Sequence, residues 1–100
     1  MGYGVTEDGR KLILELAGGV TARDVSELTQ RIASSLKSGA EAVVRPRSVD
    51  DVDTSVLQML VSLRKTVGAF TVEEPSEAFV DAVDRCALRR QLLPGLKHAL

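Results

Sequence analysis

Three times along this chain a short apolar run gives way to a segment whose apolar residues recur at helical spacing, and that alternation leaves few folds open. The first run is Lys11-Leu12-Ile13-Leu14-Glu15-Leu16. Leu12, Leu14 and Leu16 share one strand face, and Ile13 makes the other partly apolar, as in a strand with neighbours on both sides. Gly18-Gly19 reads as its end. The second run is Ala40-Glu41-Ala42-Val43-Val44. Pro46 cannot donate to a ladder, so regular pairing should stop near Arg45. The third is Ala69-Phe70-Thr71-Val72-Glu73, closed by Glu74-Pro75. Ahead of all three, Met1 to Gly9 carries Tyr3 and Val5 between glycines and reads as a short edge strand or a frayed end. Strands joined by helices argue for an α/β domain with right-handed crossovers. A chain of 100 residues suits a small sheet of about four strands, with three helices on one face and the other partly open.

The helices have their own punctuation. Thr21, followed three residues later by Asp24, is a variant capping box, after which Val25, Leu28, Ile32 and Leu36 recur at helical spacing until Ser38-Gly39 supplies a stop. A second helix should run from about Thr54 to Val67 and end at Gly68. A third should begin at the cap Ser76, place Phe79, Val83, Cys86, Ala87 and Arg90 on one face, and continue to Leu92 or Leu93 before Pro94-Gly95. Leu14, Val44, Leu60, Leu63, Val72 and Val83 are expected in one core.

The second helix also carries the stretch with the most chemistry, Asp50-Asp51-Val52-Asp53-Thr54-Ser55-Val56-Leu57-Gln58. Asp53, Thr54 and Ser55 are all suited to accept from the free N–H groups of a first helical turn. Behind them Val56, Met59, Leu60, Leu63 and Val67 form a stripe that Leu57 and Val61 widen, so the helix is mostly buried while its polar start faces water. Two hydroxyls are thereby expected on a rigid element at the positive end of a helix dipole. The simplest role for such residues is capping. Arg45 and Arg47, in the polar stretch before Asp53, read as members of a solvated loop with local ion pairs.

Composition removes several function classes. Thirteen Lys and Arg balance fourteen Asp and Glu, and Tyr3, Phe70 and Phe79 are the only aromatics, so neither a basic footprint nor a base-stacking platform for nucleic acid is present. The single cysteine, Cys86, lies in an apolar stripe and reads as a small core residue. His98, the single histidine, has no Cys, Asp or Glu cluster beside it in sequence to build a metal or catalytic site. No glycine-rich loop with a lysine is present to cradle a nucleotide, and no base stands beside the hydroxyls, so no cofactor and no enzyme activity are expected. No run approaches the ~18 apolar residues of a membrane span. The expectation is a cytoplasmic protein of one domain spanning residues 1–100, which at this length buries roughly 60 to 70% of its unfolded surface.

The same residues resemble the STAS domain, the fold of bacterial anti-sigma factor antagonists. Four features carry the resemblance: the Leu12 to Leu16 strand followed by a helix from near Thr21; the strand Ala42 to Val44; the Asp53-Thr54-Ser55 turn entering a helix with Leu57, Leu60 and Leu63; and Pro75-Ser76 opening the closing helix. It spans about residues 11–93. In that family the turn usually reads Asp-Ser-Ser-Gly-Leu or Asp-Thr-Ser-Gly-Leu, and a partner kinase phosphorylates the hydroxyl directly after the Asp. The resemblance thus implies a phosphorylation-regulated module that switches protein partners. Thr54 would be the acceptor, with Ser55 as the alternative, and Asp51, Asp53, Thr54, Ser55, Val56 and Gln58 would form the partner-binding surface. Its partner would be a serine/threonine kinase or an anti-sigma-like protein. Other stand-alone members dock on a transporter ATPase, which is the alternative role the resemblance implies. Val56 and Gln58 stand where the family commonly has glycine, and Arg45-Pro46-Arg47 replaces an apolar, Asp-rich segment.

Overall fold

The computed structural model describes residues 3–35 and 40–93. Four strands and four helices follow one another as β1 (Tyr3–Asp8), β2 (Lys11–Val20), α1 (Ala22–Ser35), β3 (Glu41–Val52), α2 (Thr54–Thr66), β4 (Ala69–Val72), α3 (Glu77–Arg85) and α4 (Arg89–Leu92). The sheet order is β1-β2-β3-β4, antiparallel between β1 and β2 and parallel across the other two pairs. This is the α/β architecture that the alternation of runs predicts. Leu36, Ser38-Gly39, Pro94-Gly95 and His98, to which the sequence assigns a helix end, a stop and a tail, lie outside the described residues.

Tyr3 to Asp8 is an edge strand, closed onto β2 by a two-residue turn in which Gly9 has φ +64°. That is the first central position, where type II′ hairpins take glycine. Tyr3 then ties this edge to α1: its hydroxyl donates to Glu27 Oε1, and the Arg31 guanidinium sits 5.8 Å from the ring centroid.

Both central strands run further than their local sequence suggests. Gly18-Gly19 does not end β2, which continues to Val20 with register irregularities between Glu15 and Ala17 and between Gly18 and Gly19. Gly18, at φ +62°, takes up the backbone distortion that such bulges require, and Leu16 and Val20 on either side stay in the core. Pro46 likewise does not end β3. The partner strand β4 finishes opposite Val44, so Pro46 lies on a free edge where no ladder N–H is needed. The chain after β4 covers that edge instead: Ser76 N–H donates to Pro46 O at 3.1 Å, and Ser76 Oγ donates to Val49 O at 2.6 Å. The same Oγ accepts from Phe79 N–H, capping α3.

All the crossovers lie on one side of the sheet. Leu12, Leu14, Leu16, Ala42 and Val44 meet Leu28 and Ile32 of α1, Val56, Leu57, Leu60 and Leu63 of α2, and Phe79 and Val83 of α3 in one cluster, with Val72 half-buried against it. On the other face, Arg45 and Arg47 are not in a loop of local ion pairs. Arg45 bonds Glu73 at 3.0 Å, and Arg47 bonds Glu15 at 3.1 Å and Glu74 at 3.2 Å, linking residues far apart in the chain.

The closing helix is broken, contrary to the single helix expected up to Leu92. Ala87 adopts φ +56°, Leu88 N–H reaches Val83 O at 2.9 Å, and Ala87 N–H reaches Asp84 O at 3.0 Å. These are the paired bonds of a Schellman ending, with alanine where glycine is usual. Arg89 grips Asp84 through two bonds of 2.8 and 2.7 Å across the bend. The turn is compensated by burial, because it brings Leu92 and Leu93 into the core.

Candidate functional site

The site is built where β3 hands over to α2. Asp53 occupies the N-cap position in extended conformation (φ −76°, ψ 148°), and its carbonyl accepts from Val56 N–H and Leu57 N–H. Its side chain does not cap its own helix. Oδ2 instead accepts the N–H of Ala22, the first residue of α1, at 3.3 Å, while Asp53 N–H donates to Val20 O at 3.0 Å. One aspartate thus closes the end of β2, begins α2 and places negative charge at the amino end of α1. Beside it only half of the capping box forms: Asp24 Oδ2 accepts from Thr21 N–H at 2.9 Å, but Asp24 N–H goes to the Thr21 carbonyl and not to its hydroxyl.

Thr54 and Ser55 separate sharply. Thr54 is exposed, caps nothing, and has Cys86 Sγ 3.7 Å from its Oγ1. Ser55 corrects the expectation that both hydroxyls face water, because its Oγ is buried and has no hydrogen-bond partner among the described residues. Successive helical residues are rotated by about 100°, so when Thr54 faces outward the next side chain turns toward the sheet. Val56 is a second correction: it is fully buried and forms core, leaving none of its side chain for a partner. Asp51 lines a common cleft with Thr54, and Asp50, Asp53 and Gln58, its near neighbours in sequence, are exposed. The Thr54 hydroxyl and the Asp51 carboxylate thus share one acidic surface at the start of α2.

Two residues that the sequence does not connect with the turn belong to this site. Cys86 ends α3 half-buried against the core, with its sulfur directed at the Thr54 hydroxyl rather than enclosed. Arg85 precedes it and, with Asp51, Thr54, Leu57, Ala82 and Cys86, lines an open cleft of about 340 Å³ between the start of α2 and the end of α3. Sequence spacing gives no hint of this meeting, since 31 positions separate Thr54 from Arg85. Among the described residues no group of three or more His, Cys, Asp or Glu is placed to hold a metal ion, and no helix is long and apolar enough to cross a membrane.

No protein-family model and no curated protein sequence matches this chain. Solved structures do. The anti-sigma factor antagonist SpoIIAA in its unphosphorylated form superposes with a TM-score of 0.74 at 11% identity, over 91% of this chain and 85% of that one. A protein of the DUF3478 family with a SpoIIAA-like fold, from Shewanella loihica PV-4, gives 0.51 at 15% identity, over 79% of this chain and 90% of that one. A segment amounting to 20% of the Mglu structure gives 0.59 at 19% identity, over 74% of this chain. The chain therefore has the STAS-like fold of SpoIIAA, as its sequence resemblance implies.

Proposed function

We propose that this domain is a phosphorylation-regulated protein-binding module of the anti-sigma factor antagonist kind, without enzyme activity of its own, with Thr54 as the phosphoacceptor and Asp51, Asp53, Thr54 and Gln58 as the partner-facing surface. The observation that carries the reading is the division of labour at the start of α2: the Thr54 hydroxyl is exposed and serves no cap, whereas the hydroxyl next to it is buried. The likeness to an anti-sigma factor antagonist solved in its unphosphorylated form supports it. A kinase would transfer the γ-phosphoryl group of ATP to Thr54 Oγ1, releasing ADP and the hydroxyl proton. Phosphate adds about −1.5 to −2 charges to a patch that already holds Asp51, with Asp53 adjacent in the chain. A protein packed against that patch meets new bulk and repulsion, and a complex weakened by ~3 kcal/mol loses over a hundredfold in affinity.

The test is partner capture with three forms of the full chain in its native cells, combined with mass spectrometry of the native protein. The unmodified chain and Thr54→Ala should retain the partner, Thr54→Asp should release it, and phosphate should be found on Thr54. A Thr54→Asp chain that keeps every partner, with no phosphate found under several growth conditions, refutes the switch. Stable co-purification with a transporter ATPase would then assign the accessory-subunit role.

A further inference from the structure

We propose that Arg85 is the intramolecular partner of a phosphate on Thr54, so that phosphorylation latches the start of α2 to the end of α3. The proposal rests on Thr54 being the acceptor and concerns what happens after modification. Three observations carry it. Thr54 and Arg85 line the same cleft from opposite walls, and the Thr54 Oγ1 to Cys86 Sγ distance of 3.7 Å shows how closely the end of α3 approaches the hydroxyl. Arg85 makes no ion pair among the described residues, whereas the neighbouring Asp84 is already gripped by Arg89. The cleft, at about 340 Å³, holds on the order of ten water volumes, enough for a phosphoryl group without rebuilding the core.

Charge supplies the reason for a latch. At the β3–α2 junction a phosphate would face Asp51, which lines the same cleft and repels it, while the Asp53 carboxylate is turned to Ala22 N–H of α1. The α2 N–H groups and their dipole offset part of that, and Arg85 is the cation on the facing wall of the cleft. A guanidinium offers paired N–H donors that match two phosphate oxygens. In the bare protein Arg85 is available to an incoming carboxylate. After phosphorylation it is engaged at home, so the modification withdraws a cation from the partner-facing surface as well as adding an anion.

The experiment uses the full chain with phosphothreonine installed at position 54 by genetic code expansion, its phosphate titrated by phosphorus NMR, in four backgrounds: Arg85 unchanged, Arg85→Gln, Arg85→Lys and Arg90→Gln. Phosphate ordinarily loses its last proton near pH ~6, and a cation alongside lowers that value, so Arg85→Gln should raise it by roughly half a unit or more, with Arg85→Lys in between. Arg90→Gln, an exposed cation outside the cleft, should leave it unchanged. Agreement of the Arg85→Gln and unchanged backgrounds within about 0.1 unit overturns the latch, as does an equal shift from Arg90→Gln, which would report net charge alone. Should Arg85→Gln disturb the end of α3, the Arg85 Nε–H resonance of the otherwise unaltered chain decides: it moves on phosphorylation if the phosphate bonds it and stays if it does not. Because the phosphate is installed synthetically, this outcome is independent of whether cells modify Thr54. Absence of cellular phosphate would count against the switch, and an unmoved titration against the latch.

Discussion

Replacing Asp53 with alanine should destabilise the domain more than replacing Thr54, although both residues suit a helix cap. The main-chain bonds of Asp53, to Val20 O and from Val56 N–H and Leu57 N–H, survive either change. What Asp53→Ala removes is the 3.3 Å bond from Ala22 N–H and the negative charge at the amino end of α1. A hydrogen bond to a charged group contributes ~1.5 to 3 kcal/mol when well made. This one is long, and water can replace the acceptor because Ala22 and Asp53 are both exposed, so it falls well below that range. The charge–dipole interaction adds ~0.3 to 1 kcal/mol. Together they give a loss of about 1 kcal/mol, equivalent to a fall in melting temperature of roughly 4 to 8 °C for a domain of this size. Asp53→Asn keeps an acceptor without the charge and should lose about half as much. Thr54→Ala removes only the long 3.7 Å contact with Cys86 Sγ and should stay within ~0.5 kcal/mol, the range of surface changes away from structural features. Urea unfolding of the three variants beside the parent tests the order. If Thr54→Ala cost more than Asp53→Ala, Thr54 would be a cap after all and the assignment of its hydroxyl to a partner would lose its basis; a silent Asp53→Ala would refute the contribution assigned to the Asp53–Ala22 bond.

Leu60, fully buried between α2 and the sheet, should cost ~2 to 5 kcal/mol when truncated to alanine, and a loss below ~1 kcal/mol in denaturant unfolding would contradict the core described above. Ala87→Gly should stabilise the domain by about a few tenths to 1 kcal/mol in the same assay, because glycine takes φ +56° without the strain that alanine bears. Tyr3 is the only tyrosine and tryptophan is absent, so absorbance near the phenolate band follows its titration alone. The hydrogen bond to Glu27 holds its proton above the ordinary value of 10.0, with burial and the Glu27 charge acting in the same direction and Arg31 opposing. The folded state thus binds that proton more tightly than the unfolded one. The stabilisation is present at neutral pH and disappears as pH rises through the folded value. Glu27→Gln should move the titration downward, and an unchanged curve would mean that Glu27 does not hold the proton.

The sequence made the order of elements and their inward faces legible, because each depends on local period: Leu12, Leu14 and Leu16 alternate, and Leu28 with Ile32 or Leu60 with Leu63 follow helical spacing. Local signals misled where a neighbouring strand or helix decided the outcome. Gly18-Gly19 and Pro46 are stop signals in isolation, but a bulge absorbs the first and the early end of β4 removes the ladder that the second would have broken. Ala87 carries no helix-stop signal, and its left-handed turn is held by the burial of Leu92 and Leu93 and by the Asp84–Arg89 clamp. At the site, residue types suggested three interchangeable caps. Tertiary placement gave Asp53 to α1, turned Ser55 inward, buried Val56, and brought Arg85 and Cys86 from a distant helix. Helical spacing puts Val56 in the apolar stripe, but it has no access to the Asp53–Ala22 bond or to the arrival of Arg85 and Cys86.

The covered half of β3 has a consequence for how the protein behaves in a crowd. Strand edges are templates: a row of free carbonyl and amide groups invites a strand from another molecule and, repeated, leads to aggregation. With β4 only four residues long, the stretch of β3 from Arg45 onward would be such a row in the middle of the sheet's own longest strand. Proline at position 46 removes one donor, and Ser76 occupies the carbonyls of Pro46 and Val49. A foreign strand would find these two carbonyls already taken and α3 packed beside them, so the short β4 makes room for α3 without leaving the vacated edge bare for intermolecular growth.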